Sequence, residues 1–370
     1  MSNRSSGRVR VALIGCGQIA DAHLQELRRT PAASVVAVCD QHTELAQQAA
    51  ARFGVGLAFD DAAQMLDAVQ PDVVHVTTPP PSHRSLVLQC LAAGAHVYVE
   101  KPFTVDAAEA EMVVAAAESR RLLVCVGHDQ LFDPAWLDCR RRVSSGDVGR
   151  VVHVDALQGY DLDGPFGRLL NQDGTHWVHR LPGGLFQNVM SHALARILDL
   201  MPGRLPAVYA RRFTSGGDAR VPGELRVLLF GETCSAALTF SSAIRPVRKL
   251  TRVYGTRSTL EIDLDARSVT ADRGTVLPGA LSKVELTWRR FSEAAGNLTR
   301  NMGRLRGSDL HYFQGMQTVF GRFYEAIADG VDPPVPHGDA LRVTRVMDAV
   351  FESCREAEPV TAPPRHLLSA

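Results

Sequence analysis

The sequence has no surplus of charge. Forty Lys and Arg stand against forty Asp and Glu, for a formal net charge of zero. Without a basic excess there is no electrostatic footprint for nucleic acid or an anionic membrane, and a small-molecule partner is favoured. Long apolar runs are missing as well. The longest, such as residues 122–126, fall far below the ~18 residues needed to cross a bilayer. The uninterrupted apolar stretch near the start is shorter than the ~7 residues of a minimal signal core. Cysteine is unpatterned: Cys16, Cys39, Cys90, Cys125, Cys139, Cys234 and Cys354 are odd in number, far apart and never spaced C-x-x-C. That argues against a zinc knuckle or disulfide framework and suits reduced thiols. These absences predict a soluble, cytoplasmic protein without internal repeats or low-complexity tracts.

What is present is apolar material for more than one core. At 45% hydrophobic and 22% charged residues the composition is that of a globular protein, and 370 residues amount to roughly two and a half typical domain lengths. From Val9 to about Gly127, short apolar runs alternate with helical patterns, the signature of a parallel sheet wound with crossover helices. The strands read as residues 9–14, 35–39, 56–59, 73–77, 96–99 and 122–126. Asp106 with Glu109 resembles a capping box. After Phe132 the pattern predicts a helix to about Ser145, a strand over 151–156, and a long polar loop over 159–184. A helix from Leu185 to about Leu200 follows. Strands at 225–230, 236–240, 250–254 and 259–264, within 205–270, then suggest a mostly antiparallel sheet. Residues 280–307 mix Arg, Ser, Gly and Asn without clear period and read as loop and short helix, while helices begin at Leu310 and around Val343.

Gly15-Cys16-Gly17-Gln18-Ile19-Ala20 lies between the first strand and the first helix. There a glycine permits a tight turn, a second lets backbone amides approach a pyrophosphate, and the helix amino end attracts the anion. Asp40, 23 residues beyond Gly17 at the end of the second strand, can accept the ribose hydroxyls and would repel a 2′-phosphate, favouring NAD over NADP. The same residues would also serve as a plain strand-to-helix turn and a helix cap.

Further along come Thr77-Thr78-Pro79-Pro80-Pro81-Ser82-His83 and Glu100-Lys101-Pro102, both after strands, then Gly183-Gly184 with Asn188 and His192. In this order the motifs resemble the Gfo/Idh/MocA oxidoreductases over nearly the whole chain. The resemblance implies an α/β Rossmann domain, a parallel doubly wound sheet, joined to an α+β domain with a large, mostly antiparallel open sheet. It divides the chain into a flexible N-terminus (1–8), a NAD-binding domain (9–128) and a substrate-binding and oligomerisation domain (129–370). It also implies hydride transfer between NAD and a carbinol carbon of a sugar, polyol or nucleotide sugar, in a homodimer or homotetramer assembled through that sheet. Its cofactor site would comprise Gly15, Gly17, Gln18, Ile19, Asp40, Thr77, Pro79, His83, Glu100 and Lys101. Lys101 would act beside the reacting hydroxyl, and His192 would be general acid/base.

Chemically, alcohol oxidation needs a proton acceptor at the hydroxyl, and an imidazole is suited to it near neutrality. A nearby ammonium would stabilise developing alkoxide. Glu100 and Lys101 also read as a solvated pair closing a strand, His83 as part of a helix start, and His192 as a hydrogen-bonded core histidine. The chain departs from the family where Asn188 replaces a usual Asp: an amide four residues before His192 can orient the imidazole but cannot stabilise its charged form. That departure leaves open an NAD-using lyase or glycosidase with transient redox, and a non-catalytic NAD-binding regulator. His128 and Asp129 lie in a segment resembling the family's substrate side. In the loop before Gly183, Trp177 reads either as a stacking platform for a sugar or as a core anchor, with His176, His179 and Arg180 as hydroxyl or phosphate partners. Asp173, His176 and His179 are not taken as a metal site, since nicotinamide chemistry needs none.

Overall fold

The computed structural model describes residues 8–213, 223–307 and 313–356. The expected flexible N-terminus, apart from its last residue, and the expected helix start at Leu310 lie outside them. The first half alternates as the hydrophobic pattern predicts: β1 (Val9–Ile14), α1 (Gln18–Arg29), β2 (Ala33–Cys39), α2 (Thr43–Phe53), β3 (Ala58–Phe59), α3 (Ala62–Val69), β4 (Val73–Val76), α4 (His83–Ala92), β5 (His96–Val99), α5 (Ala107–Arg120) and β6 (Val124–Val126). These strands pair in parallel in the order β3-β2-β1-β4-β5-β6. Helices cover both faces, so β4 is buried at every position, which is why its sequence does not alternate. The strand order reverses between β1 and β4, and there the loops at the carboxyl ends part to leave a crevice. At α5 the Asp106 carboxylate accepts from Glu109 N (2.9 Å), while Glu109 reaches back to Val105 N (3.4 Å), a capping box displaced by one residue.

The rest of the chain is α6 (Pro134–Ser144), β7 (Val151–Gly159), α7 (Pro165–Gln172), α8 (Gly184–Asp199), β8 (Ala207–Phe213), β9 (Glu224–Phe230), β10 (Ser235–Ser241), β11 (Lys249–Gly255), β12 (Thr259–Asp263), β13 (Ser268–Asp272), α9 (Leu281–Arg306), α10 (Gln314–Asp329) and α11 (His337–Glu356). Its sheet runs β13-β12-β11-β7-β10-β9-β8. All neighbours are antiparallel except β7 and β10. One face packs on α8 and α11. The other leaves Tyr209, Phe213, Leu228 and Phe230 exposed. α10 does not stay with this sheet: Met316, Val319, Phe320, Phe323 and Tyr324 enter the core of the parallel one, so the chain returns to its first half after building its second. No helix among the described residues is long and apolar enough to cross a membrane.

Two stretches differ from the sequence expectation. The polar loop over 159–184 contains α7 and a 3-10 turn at Trp177–Arg180; Pro165 at the first helical position presets the backbone for α7. Residues 281–306, expected as loop and short helix, form the single 26-residue helix α9. Its Gly, Asn and Ser weaken intrinsic helix propensity, and tertiary anchoring overrides that. The anchor is Asn297, buried against the open edge of the sheet, whose side chain accepts from Val269 N (3.2 Å) and donates to Val269 O (3.1 Å). One side chain thus pairs backbone groups that β13 would leave unmatched. Asn297→Ala should lower stability by about 1–3 kcal/mol, because two buried backbone groups lose their partner; urea denaturation followed by circular dichroism measures this, and an unchanged midpoint would contradict the anchoring role.

Candidate active site

The crevice is shaped by a glycine that no other residue could replace. Gly15 has φ +102°, and a Cβ there would lie 2.7 Å from Thr78 Cγ2 and 2.8 Å from Thr78 N. The loops after β1 and β4 therefore touch through backbone. Gly17 caps α1 without a side-chain bond to the first turn, and a Cβ on it would meet nothing within 4 Å. The amides that open α1 thus face free space at the positive end of a helix, the environment an anionic phosphate seeks. Ala20, fully buried, lets the helix lie close to the sheet. Asp40 accepts from Cys16 N (2.7 Å) through one oxygen and from His42 N (2.9 Å) through the other. A carboxylate oxygen has two lone pairs, so both remain able to accept ribose hydroxyls. These residues fit a dinucleotide.

The neighbouring expected residues work mainly by positioning. Thr77 Oγ1 donates to Gly15 O (2.6 Å) and holds the glycine turn. His83 is fully buried, with one ring nitrogen at 2.7 Å from Thr78 O and the other at 3.1 Å from Pro102 O and Phe103 O. It ties the loop after β4 to the turn after β5 and does not reach the open space.

Behind that turn lies a buried polar chain. Glu100 Oε1 is 2.9 Å from His23 Nε2, His23 Nδ1 is 3.1 Å from His75 Nδ1, and His75 Nε2 is 2.7 Å from Tyr324 Oη. With Glu100 ionised, one consistent set of protons runs through it: Tyr324 donates to His75, His75 to His23, and His23 to Glu100. Burial alone would raise the Glu100 carboxyl, yet the His23 hydrogen bond and the charge of Lys101 hold the group below its usual range. Burial, reinforced by His23, keeps His75 well below the usual imidazole value. Sequence reasoning missed His23, His75 and Tyr324. The available signal was a histidine inside the apolar run Val73–Val76, a polar group that must find a partner.

Lys101 follows Glu100 and donates from Nζ to Asn188 O on α8 (3.1 Å), bridging the two halves. Burial lowers its ammonium from the usual range against the pull of Glu100 and Asp129. Together with Gly17, Gln18, Ile19, Thr77 and Pro79, these residues line a cleft of about 390 Å³ that also takes in His176 and Trp177. One turn further along α8, His192 Nδ1 stands 3.5 Å from Asp129 Oδ1, and neither atom has a hydrogen-bond partner among the described residues. Burial and the positive charge of Lys101 keep the His192 imidazole well below its usual range. Burial and Glu100 push the Asp129 carboxyl up to about 7. A carboxylate from the turn after β6 thus stands next to His192.

Not every expected residue joins the cleft. His192 and Asp129 are not part of its lining; Asp129 borders a second cavity of about 300 Å³ with Asp133, Lys249 and Arg267. His128 is buried against another cavity beside Arg140 and Arg342, and burial pushes it down to about 4. His179 bonds Leu170 O (3.0 Å) and, like Arg180, is exposed outside the cleft lining. Asp173 accepts from both Thr175 N and Thr175 Oγ1 and braces the loop locally.

Residues 9–128 match the model of the Gfo/Idh/MocA group, an oxidoreductase family with an NAD-binding Rossmann fold. The chain is 27% identical over 370 residues to a D-apiose dehydrogenase of Paraburkholderia graminis, spanning 95% of this chain and 89% of that one. Over 149 residues, 40% of this chain and 43% of the relative, it is 36% identical to an inositol 2-dehydrogenase of Rubrobacter xylanophilus. Its fold is shared with the WlbA dehydrogenase of Bordetella pertussis, solved with NADH and UDP-GlcNAcA, at TM-score 0.76 and 18% identity over 95% of this chain and 96% of that one.

The raised Asp129 pKa carries a stability consequence. Its carboxyl holds a proton to about 7 in the folded protein against 3.8 when free, so stability is lost as pH rises through that interval. Asp129→Asn should therefore stabilise the protein at pH 8 by about 1–4 kcal/mol and leave it unchanged near pH 4. Thermal denaturation across that range tests this, and equal curves at pH 8 would contradict it.

Proposed function

We propose that this chain, whose residues 9–128 match the NAD-binding model of the Gfo/Idh/MocA oxidoreductases, moves a hydride between NAD and a carbinol carbon of a sugar, polyol or nucleotide sugar. The observation that carries this reading is the meeting of Lys101, Asn188 and the His192–Asp129 pair beside a cleft opened by free helix amides. When bound, NAD supplies the hydride acceptor. The protein's own groups handle the proton and the charge. His192, neutral because its surroundings disfavour the cation, takes the proton from the substrate hydroxyl. The Lys101 ammonium bonds that oxygen and stabilises it as negative charge develops. Asp129 then compensates the imidazolium from 3.5 Å, the part a carboxylate at position 188 would have played. In the reducing direction the same histidine returns the proton.

Trp177 and His176, both in the cleft lining, suit the face and hydroxyls of a sugar ring. In this reading residues 9–128, completed by α10, hold the cofactor, and the remainder of 129–370 holds the substrate. The exposed apolar residues of the second sheet, Tyr209, Leu228 and Phe230, favour a subunit interface there. The unpaired cysteines, buried except for Cys354, suit a reducing cytoplasm. Asp129 favours a working acid/base pair over a regulator that has lost catalysis.

Incubation with NAD and a panel of sugars, inositols and nucleotide sugars, with mass analysis of products, tests the proposal. A two-electron change in substrate is expected. Products without net nicotinamide change would identify transient redox instead, and NAD binding without any turnover would identify a regulator. NAD(H) should bind at least ~10-fold more tightly than NADP(H) by calorimetry, because a 2′-phosphate would face the Asp40 carboxylate; equal affinities would refute that role.

His192→Ala should lower turnover by ~100-fold or more with NAD binding retained, and Lys101→Ala should act similarly. The oxidation rate should fall as pH drops through about 7, where Asp129 takes up its proton. Asn188→Asp should keep activity and move the profile upward, since a second anion favours protonated histidine. Near-normal rates in His192→Ala would remove the histidine from the mechanism.

A further inference from the structure

α9 is built inside out. The side that faces β13 carries Arg289, Glu293, Asn297 and Arg300, while the opposite side is apolar and open to solvent. Trp288 is 65% exposed and Leu298 64%, values expected of lysines and glutamates on an ordinary surface helix. The apolar positions are not scattered. Leu281, Val284, Trp288, Phe291, Ala295, Leu298, Met302 and Leu305 follow one another at alternating spacings of three and four, which is the a/d seam of a coiled coil sustained over more than three heptads. At 1.5 Å per residue a helix of 26 residues extends about 39 Å, long enough for such a seam to hold a partner helix.

The order of side-chain sizes indicates which partner. In an antiparallel pair every a position meets a d position of the other strand. If this helix is reversed upon itself about residue 293, Leu281 meets Leu305, Val284 meets Met302, Trp288 meets Leu298, and Phe291 meets Ala295. Every layer is apolar, and beside the twofold axis the bulky Phe291 stands over the smallest residue of the seam. Charge does not select the direction. The helix carries Lys283, Arg289, Arg290, Arg300, Arg304 and Arg306 against Glu285 and Glu293. Each half of the helix holds an excess of cations, so the direction is set by the sizes of the apolar layers. We propose that α9 pairs with α9 of a second copy of this chain as an antiparallel two-stranded coiled coil.

Two measurements test it. Leu281→Cys and Leu305→Cys proteins are purified separately and treated with a short bis-maleimide, with the parent chain as control for its own cysteines. A covalent dimer is expected when the two are mixed and absent when either is treated alone, because residue 281 of one copy lies about 36 Å along the axis from residue 281 of the other. Cross-linking of each variant to itself would mean parallel pairing and overturn the proposal, as would no cross-linking of the mixture. Trp288→Glu with Leu298→Glu should halve the particle mass found for the parent by light scattering, while NAD affinity and helix content stay unchanged. An unchanged mass in a folded variant would overturn the proposal, and if that variant fails to fold the cross-linking decides alone. Binding of the parent to phosphatidylglycerol vesicles, lost in the double variant and with no cross-link in the mixture, would assign the seam to a membrane surface and reject the pairing.

Discussion

A buried carboxylate holds the site together. Glu100 ends β5 in the interior, where an isolated charge would be strongly disfavoured, and it stays ionised because His23 donates to it and Lys101 lies next in the chain. That requirement propagates. His23 must present a proton, so His75 must present one to His23 and Tyr324 one to His75, which recruits α10 from the far end of the chain into the first core. The turn that carries Lys101 is thereby braced from behind by three side chains that no substrate touches. Lys101 Nζ reaches α8 from that platform, alongside other links between the two halves such as Gln187 to Val105 O and Ala107 N to Asp348.

The same logic of compensated burial governs the other side of the cleft. His192 and Asp129 are held together with opposite perturbations, the imidazole disfavoured as a cation and the carboxyl disfavoured as an anion. Two adjacent buried groups perturbed in this way beside a cleft mark a candidate site for acid/base chemistry. Asn188 holds Lys101 through its backbone carbonyl, and the carboxylate nearest to His192 is that of Asp129.

α9 shows the opposite case, in which polar anchoring and apolar exposure coexist. Asn297 pairs with Val269 and closes the sheet edge, so the helix is fixed by hydrogen bonds on the side where most helices bury leucine. Its apolar seam is left facing outward, and a seam of that regularity is a surface meant to be covered.

The parallel strands, the phosphate loop, Asp40 and the Glu100-Lys101 turn were legible in the sequence, because each depends on local requirements: short unbroken apolar runs, a positive φ at Gly15, an uncapped helix amino end. His192 was legible through its spacing from Gly183 and Asn188. What spacing could not convey was partnership across the fold. Asp129 lies 63 positions before His192 and Tyr324 lies 249 after His75, so their pairing exists only once β6, α8 and α10 are packed. α9 was misread for a related reason. Its glycines and asparagines argue against a helix when only local propensity is counted, and its stability comes from a contact with β13 that no window of neighbouring residues contains. Local sequence determined where a dinucleotide can lie; tertiary packing decided which buried charges compensate one another, because that depends on distance in space and not along the chain.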